Sequence, residues 1–336
     1  MLPAQWNIFK RAARLEKLDK VPMALIVDSP WIPGYLGINH LDYYLDRDVW
    51  FEANLAIMRE FPGIIFVPSW WMEYGMAAEP SVLGAKIKFW QNNTPSECHM
   101  LERLADVDRL ADYDVEADGF AALTLHRIRM ERQRILDHGH ILPMVTARGP
   151  LCTASFVRGM TQLMVDLVDD PEGAHKLIDL STRVVIDWLK AQHKAMGDTV
   201  EGIFILDDVV GMIGKRHYRE FAHPYLKRIC DAFPAGWVKL YHNDADVGAC
   251  LDLLPDTGFN MLNWGKQRDI REVKRATLDV LAGSEGEGIV LSVGGGTSPG
   301  TPRASIVAML EALEEFNASR AAGSVVPHAP GEPVSR

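Results

Sequence analysis

The stretch KLYHNDADVG, residues 239–248, ends an apolar run in His242, Asn243, Asp244 and Asp246. An imidazole two residues from a carboxylate can do two kinds of chemistry. It can help hold a cation, because neutral imidazole and carboxylate oxygens are ligands for borderline and hard metals. It can also exchange a proton with a substrate, as acid or base. A second acidic pair, Asp207-Asp208, closes the run GIFIL. Adjacent carboxylates repel one another unless one faces solvent or a cation. Asp207, Asp208, His242 and Asp244 are therefore the candidate catalytic residues. The competing reading is structural: an acid after a strand often caps the following helix, and this applies equally to Asp28 and Asp246.

Other apolar runs also end in polar or aromatic residues. Asp28, Trp70, Trp71, Arg148, Asn263, Trp264 and the glycines Gly294 and Gly295 join the list as candidate substrate-binding positions. Trp70-Trp71 reads either as plain core or as a flat apolar wall for a planar ligand. Arg148 can anchor one substrate carboxylate. The loop SVGGGTSPGTP (292–302) lets a ligand approach its backbone closely, although it contains no Lys or Arg. Glu73 and Glu79 read as surface charges.

The elements that must position these residues alternate along the chain. Strand-like runs occur at 21–28, 63–69, 141–147, 202–208, 237–243, 260–264, 278–283 and 289–293. Their nearly continuous Val/Ile/Leu character fits burial on both faces, as in parallel sheets. Helical patterns fall between them, at about 47–61, 116–138, 171–196, 216–233, 247–255, 269–275 and 302–320. Eight strands with intervening helices predict a (β/α)8 TIM barrel, whose chemistry collects at the strand C-termini. A doubly wound open sheet is the alternative, but no GxGxxG follows the first strand. Residues 70–115 read as an insertion after the second strand, with AKIKFW (85–90) as one strand of a hairpin near the barrel mouth. A single barrel domain over 1–320 and a disordered Pro/Gly-rich tail over 321–336 complete the expected organisation.

Composition excludes several classes. The 45 acidic and 35 basic residues give a net charge of −10, without a dense Lys/Arg block. A phosphate-backbone binder needs a basic face, so nucleic acid is not an expected partner. The apolar runs fall far short of the roughly 20 residues of a membrane span. The N-terminal MLPAQWNIFKRAARLEKLDK reads as a basic amphipathic helix without a cleavable apolar core, which predicts a cytoplasmic protein. The four cysteines are far apart with no CxxC pair, which fits a reducing compartment and excludes a thiolate-rich structural zinc site.

The order of motifs resembles the uroporphyrinogen decarboxylase superfamily. That superfamily includes the tetrapyrrole decarboxylase and methyltransferases that exchange methyl groups with corrinoid proteins. The matching pieces are EPSVLGAKIKFW (79–90), LERLADVDRL (101–110), ARGPLCTASFVRG (147–159), GIFILDDVVG (202–211), HYREFAHPYLKRI (217–229), KLYHNDADVGACLDLLPDTGFNMLNW (239–264) and SVGGGTSPGTP (292–302). The resemblance implies a (β/α)8 barrel with its site at the strand C-termini. The decarboxylase grips propionates through an arginine-rich N-terminal motif, whereas the corresponding IVDSPWIPGYLG (26–37) has no arginine. The thiol-methylating branch uses a His-x-Cys zinc motif and a distant Cys. Here His242 fits the first position, while Asp244 and Gly295 stand where the thiolates would be. Carboxylate and imidazole ligands leave a metal a harder Lewis acid, suited to polarising an oxygen.

Methyltransferases of O-demethylase systems resemble this chain in a Glu/Glu/His type of set. The comparable residues are Asp208, Glu220 and His242, with Asp207 or Asp244 as alternatives to Glu220. The resemblance thus implies a zinc-assisted methyltransferase. It would move a methyl group between a small methylated substrate, an O-methyl ether by preference, and a corrinoid. The corrinoid would be carried by a partner protein, since the chain lacks an Asp-x-His-x-x-Gly motif. A homodimer is the other expected assembly. Two alternatives stay open: a metal-free decarboxylase-like lyase, and a non-catalytic barrel that binds a ligand or corrinoid protein.

Overall fold

The computed structural model describes residues 1–27, 31–264, 287–293 and 296–322. The parallel strands are β1 (Met23–Ile26), β2 (Ile64–Val67), β5 (Met144–Arg148), β6 (Gly202–Leu206), β7 (Val238–Asn243) and β8 (Met261–Trp264). Between β2 and β5 lies an antiparallel hairpin of β3 (Lys86–Trp90) and β4 (Asn93–Cys98). β1 pairs with β2, and β5, β6, β7 and β8 pair in chain order. On the other side of β1, Leu291 bridges Met23 in parallel. The amide of Ala24 donates to the Leu291 carbonyl at 2.8 Å, and that of Leu291 to Pro22 at 2.9 Å.

The strands separate their side chains into two cores, as the period of two requires. One cluster joins Ala24, Ile26, Ile65, Val67, Met144, Phe204, Leu206, Val238 and Leu240, with Met261 and Val290 packed against it. The intervening residues, such as Leu25, Phe66, Val145, Ile205 and Tyr241, belong to the larger cluster facing the helices. Side chains from six strands and the 290 segment meet in one inner cluster because the sheet curls around on itself. The architecture is the expected (β/α)8 barrel. Trp6 and Phe9 of the first helix, α1 (Pro3–Ala13), enter that inner cluster and plug its N-terminal end. The amphipathic face read from the sequence is therefore buried against the barrel.

The outer layer comprises α2 (Trp31–Leu36), α3 (His40–Leu45), α4 (Arg47–Glu60), α5 (Ala78–Val82), α6 (Gly119–Asp137), α7 (Pro150–Arg158), α8 (Met160–Asp169), α9 (Pro171–Met196), α10 (Lys215–His217), α11 (His223–Asp231) and α12 (Arg303–Ala321). α9 begins where Asp170-Pro171 signals a start, with the Asp170 side chain accepting from the Gly173 amide. The Gln192 amide of α9 exchanges two hydrogen bonds with the backbone of Thr146 in β5.

Several expectations are corrected. The pair α7 and α8 was not foreseen; Pro150 opens the first, and Gly159 at φ +91° separates it from the second. The single helix expected at 216–233 is α10 and α11 joined by a π-helical turn, Tyr218–Ala222. Residues 247–255 form turns rather than a helix. The helix expected at 269–275, the strand at 278–283 and the tail from 323 onward lie outside the described residues. Among the described residues, no helix is long and apolar enough to cross a membrane.

Candidate active site at the strand C-termini

Register places Arg148 opposite Leu206, Leu206 opposite His242, and His242 opposite Asn263. These four residues form a row across the upper ends of β5 to β8. Parity then decides which side chains enter the barrel. Phe204 and Leu206 point inward, so the next position of that face is Asp208; Leu240 points inward, and so do His242 and Asp244.

The three inward residues converge. One ligand atom from each of Asp208, His242 and Asp244 lies within 4.8 Å of the others. His242 Nε2 is 3.4 Å from Asp244 Oδ1. The Asp244 amide donates to Asp208 Oδ1 at 2.7 Å, and the Gly296 amide donates to Asp244 Oδ1 at 3.3 Å. His242 Nδ1 lies 2.8 Å from Asn263 Oδ1, while the Asn263 Nδ2 donates to the Val293 carbonyl. That second contact orients the amide, so Nδ1 carries the hydrogen and Nε2 is turned toward Asp244. Burial of His242, which is only 3% exposed, works against its charge. The Asp244 hydrogen bond and charge, with Asn263 and Asp208, outweigh it and raise the imidazole above its ordinary value. Asp244 is lowered by its bond to His242, against its own partial burial.

Asp207 has the opposite parity and is corrected to a structural position. Its carboxylate accepts from the amides of Leu151 and Cys152 at 3.1 and 2.9 Å, at the N-terminus of α7. Its backbone amide donates to the His242 carbonyl at 3.1 Å. Its carbonyl accepts from Tyr241 Oη at 3.0 Å and Asn243 Nδ2 at 2.7 Å. Burial pushes this carboxyl up to about 7, with Asp208 adding and the helix amides opposing. The adjacent acids thus face opposite sides of the chain as it leaves β6, and Asp207 still feels the charge of Asp208.

Glu220 is also corrected. It sits exposed in the π-helical turn, 3.9 Å from His175 Nε2, and does not join the three converging residues. The two tryptophans part company. Trp70 is buried against Phe51, Trp50 and His140, with ring centroids 4.8, 5.7 and 5.3 Å away. Ser69 and Trp70 take positive φ of 79° and 52°, and this reversal turns Trp70 into the helical layer. Trp71 packs on the inner cluster, 6.0 Å from Phe204, which in turn lies 6.1 Å from His242.

Arg148 stacks over Trp71 at 5.1 Å and approaches Glu73 at 3.5 Å. Its amide donates to Glu79 Oε1 at 2.7 Å. Glu79 is buried, which raises its carboxyl against the pull of Arg148. Glu73 and Glu79 are therefore not surface charges; the segment following β2 brings them down beside β5. Asp28, Gly294 and Gly295 lie outside the described residues, as does the Trp264 side chain. Phe204 and Leu206 were absent from the reading of the sequence, although counting back two and four residues from Asp208 would have found both.

The family model described as Uroporphyrinogen decarboxylase (URO-D) matches residues 7–284. The chain belongs to that family. Curated relatives include uroporphyrinogen decarboxylases from Serratia proteamaculans, 25% identical over 78% of this chain and 81% of the relative, and from Chloroherpeton thalassium, 26% identical over 82% and 79%. For the relative from Thermodesulfovibrio yellowstonii, at 24% identity, the match covers 56% of this chain and 54% of that protein. Among solved structures, a methyltransferase from Methanosarcina mazei shares the fold with a TM-score of 0.72 over 92% of this chain and 97% of its own, at 19% identity.

Proposed function

We propose that this protein is a methyltransferase that moves a methyl group between a small methylated substrate, an O-methyl ether by preference, and a corrinoid carried by a partner protein. The observation that carries this reading is the convergence of Asp208, His242 and Asp244 within 4.8 Å at the barrel mouth. One imidazole nitrogen and two carboxylates fit a divalent zinc ion in charge and donor type. When bound, such an ion supplies Lewis acidity toward the heteroatom that the methyl group leaves.

The chain's own residues prepare the site. Asn263 fixes the His242 tautomer and turns Nε2 toward Asp244, where it would serve as the donor atom to a bound ion. Asp208 holds the Asp244 backbone, so the two acids are mutually positioned. Phe204, Leu206 and Trp71 form an apolar floor that limits water. The corrinoid supplies the methyl acceptor chemistry. The fold shared with a protein described as a methyltransferase supports this assignment. A single barrel domain spanning 1–320 belongs to the same proposal.

The curated relatives favour a second reading, a decarboxylase-like lyase that needs no metal. In it Asp207 or Asp208 would stabilise a cationic, protonated ring intermediate, and His242 would orient it. Zinc analysis of protein purified without chelator, alongside methyl transfer to free cob(I)alamin under strongly reducing conditions, separates the readings. One zinc per chain that is lost in His242→Ala, together with methyl transfer, supports the methyltransferase. Metal-free protein that decarboxylates a porphyrinogen supports the lyase. Ligand binding with neither activity leaves a non-catalytic barrel.

A further inference from the structure

We propose that Asn243 is a positioning residue of this site: it locks the segment after β6 to the segment after β7, and so makes Asp208, His242 and Asp244 converge. The proposal rests on the metal-assisted reading for what those three residues hold, but its geometry concerns the chain alone.

Asn243 lies between two of the converging residues and faces the other way. Tyr241, two positions earlier, belongs to the cluster that faces the helices, and the period of two gives Asn243 the same direction. Asn243 is fully buried. A carboxamide in such a place costs free energy unless its hydrogen bonds are made. Its Nδ2 donates to the Asp207 carbonyl at 2.7 Å and to Tyr241 Oη at 3.1 Å, and its Oδ1 accepts from the Ala245 amide at 2.8 Å. Tyr241 Oη donates in turn to the same Asp207 carbonyl at 3.0 Å.

These bonds act on the two segments that carry the three residues. The Asp207 carbonyl belongs to the peptide that leads into Asp208, so the bond from Nδ2 fixes the backbone on which Asp208 stands. The bond from Ala245 closes an Asx turn, and the residue inside that turn is Asp244. One side chain thus grips the backbone beside each of the two acids. It extends the link between β6 and β7 beyond the bond from the Asp207 amide to the His242 carbonyl. The turn that carries Asp208, Asp208–Met212, also approaches the Asx turn closely. A Cβ at Gly211 would stand 2.5 Å from Ala245 Cβ and 3.1 Å from Asn243 Oδ1, so a side chain there would force the two segments apart. The chemistry of the carboxamide is specific to this task. An aspartate would set a carboxylate oxygen against the Asp207 carbonyl, and a serine is too short to bridge to it.

Three variants test the proposal. Asn243→Ser keeps a hydroxyl that can form a turn with the Ala245 amide but removes the bridge to Asp207. Gly211→Ala leaves Asn243 in place and pushes the segments apart. Gln192→Ala is the control: it removes another buried amide with two bonds to a strand backbone, those to Thr146 in β5. Zinc affinity is read by competition with a chromophoric chelator, and the geometry of the site by the visible spectrum of bound cobalt(II). Asn243→Ser and Gly211→Ala should bind zinc about 10- to 100-fold more weakly and alter the cobalt spectrum, whereas Gln192→Ala should match wild type in both. Amide exchange of the metal-free proteins, read by NMR, follows the Asp244 amide, which donates to Asp208 Oδ1. Relative to the amides of β5, it should exchange roughly tenfold faster in Asn243→Ser and Gly211→Ala and at the wild-type rate in Gln192→Ala. Should Asn243→Ser fail to fold, Gly211→Ala decides by the same readouts. Unchanged zinc affinity in Asn243→Ser, or an equal loss in Gln192→Ala, overturns the proposal and leaves the metal reading intact. If wild type binds no zinc while Asp244 loses protection in Asn243→Ser and Gly211→Ala alone, the positioning role stands and the metal reading fails.

Discussion

At the scale of single residues, the site depends on what stands behind His242. Asn263 touches Nδ1 rather than the face turned to Asp244, so its effect on a bound cation is indirect. Replacing it with alanine should weaken zinc affinity about 10- to 100-fold, as for other partners of ligating histidines, while leaving the melting temperature of the metal-free protein nearly unchanged; competition with a chromophoric chelator reads this directly. Asp207 offers a different test. Its folded pKa of about 7 lies above the unfolded value of 3.8, so the folded state holds the proton more tightly. The associated stability is present below the unfolded pKa and is lost as pH rises through the folded pKa. Asp207→Asn cannot ionise, and should therefore show a flatter decline of stability between about pH 4 and pH 7 in urea titrations. An unchanged pH slope would mean that Asp207 titrates normally.

At the scale of elements, α1 is the clearest dependency. Trp6 is 2% exposed inside the barrel's N-terminal end, and its Nε1 donates to Glu201 at 2.8 Å. Trp6→Ala should cost about 3–5 kcal/mol, seen as a lower denaturation midpoint. The converging residues lie at the other end of the strands, so zinc content of the folded variant should not change. The split between Trp70 and Trp71 predicts a second contrast. Trp70→Ala should destabilise the fold by a similar ~3–5 kcal/mol, whereas Trp71→Ala should chiefly weaken binding of neutral probes at the mouth. Thermal melts and calorimetry of the two variants, side by side, decide whether the backbone reversal at residues 69 and 70 divides their roles.

For the whole molecule, the proposed metal site would link binding to folding, because Asp208, His242 and Asp244 stand at the C-terminal ends of β6 and β7, which are brought together only in the folded barrel. Zinc at about 100 times its dissociation constant should add about 2.7 kcal/mol. The melting temperature should rise accordingly in wild type and stay fixed in His242→Ala. A chelator should reverse the rise. Equal stabilisation of both proteins would place the cation elsewhere and remove the proposed site.

Much of this was legible in the sequence, because burial on both faces makes parallel strands read as Val/Ile/Leu runs, and their polar ends mark the barrel mouth. Asp208, His242 and Asp244 were legible on that basis. What the sequence left undecided is the direction of side chains and the approach of distant segments. Whether Asp207 or Asp208 faces the site depends on strand parity, fixed only when Phe204 and Leu206 are known to point inward. Trp70 and Trp71 separate because the backbone reverses between strand and insertion. Glu73 and Glu79 meet Arg148 across some seventy residues of chain, a pairing that no local pattern encodes. Composition and periodicity thus determined the barrel and the rim of its site; only tertiary packing decided which acids face one another, because charge pairing depends on distances in space rather than along the chain.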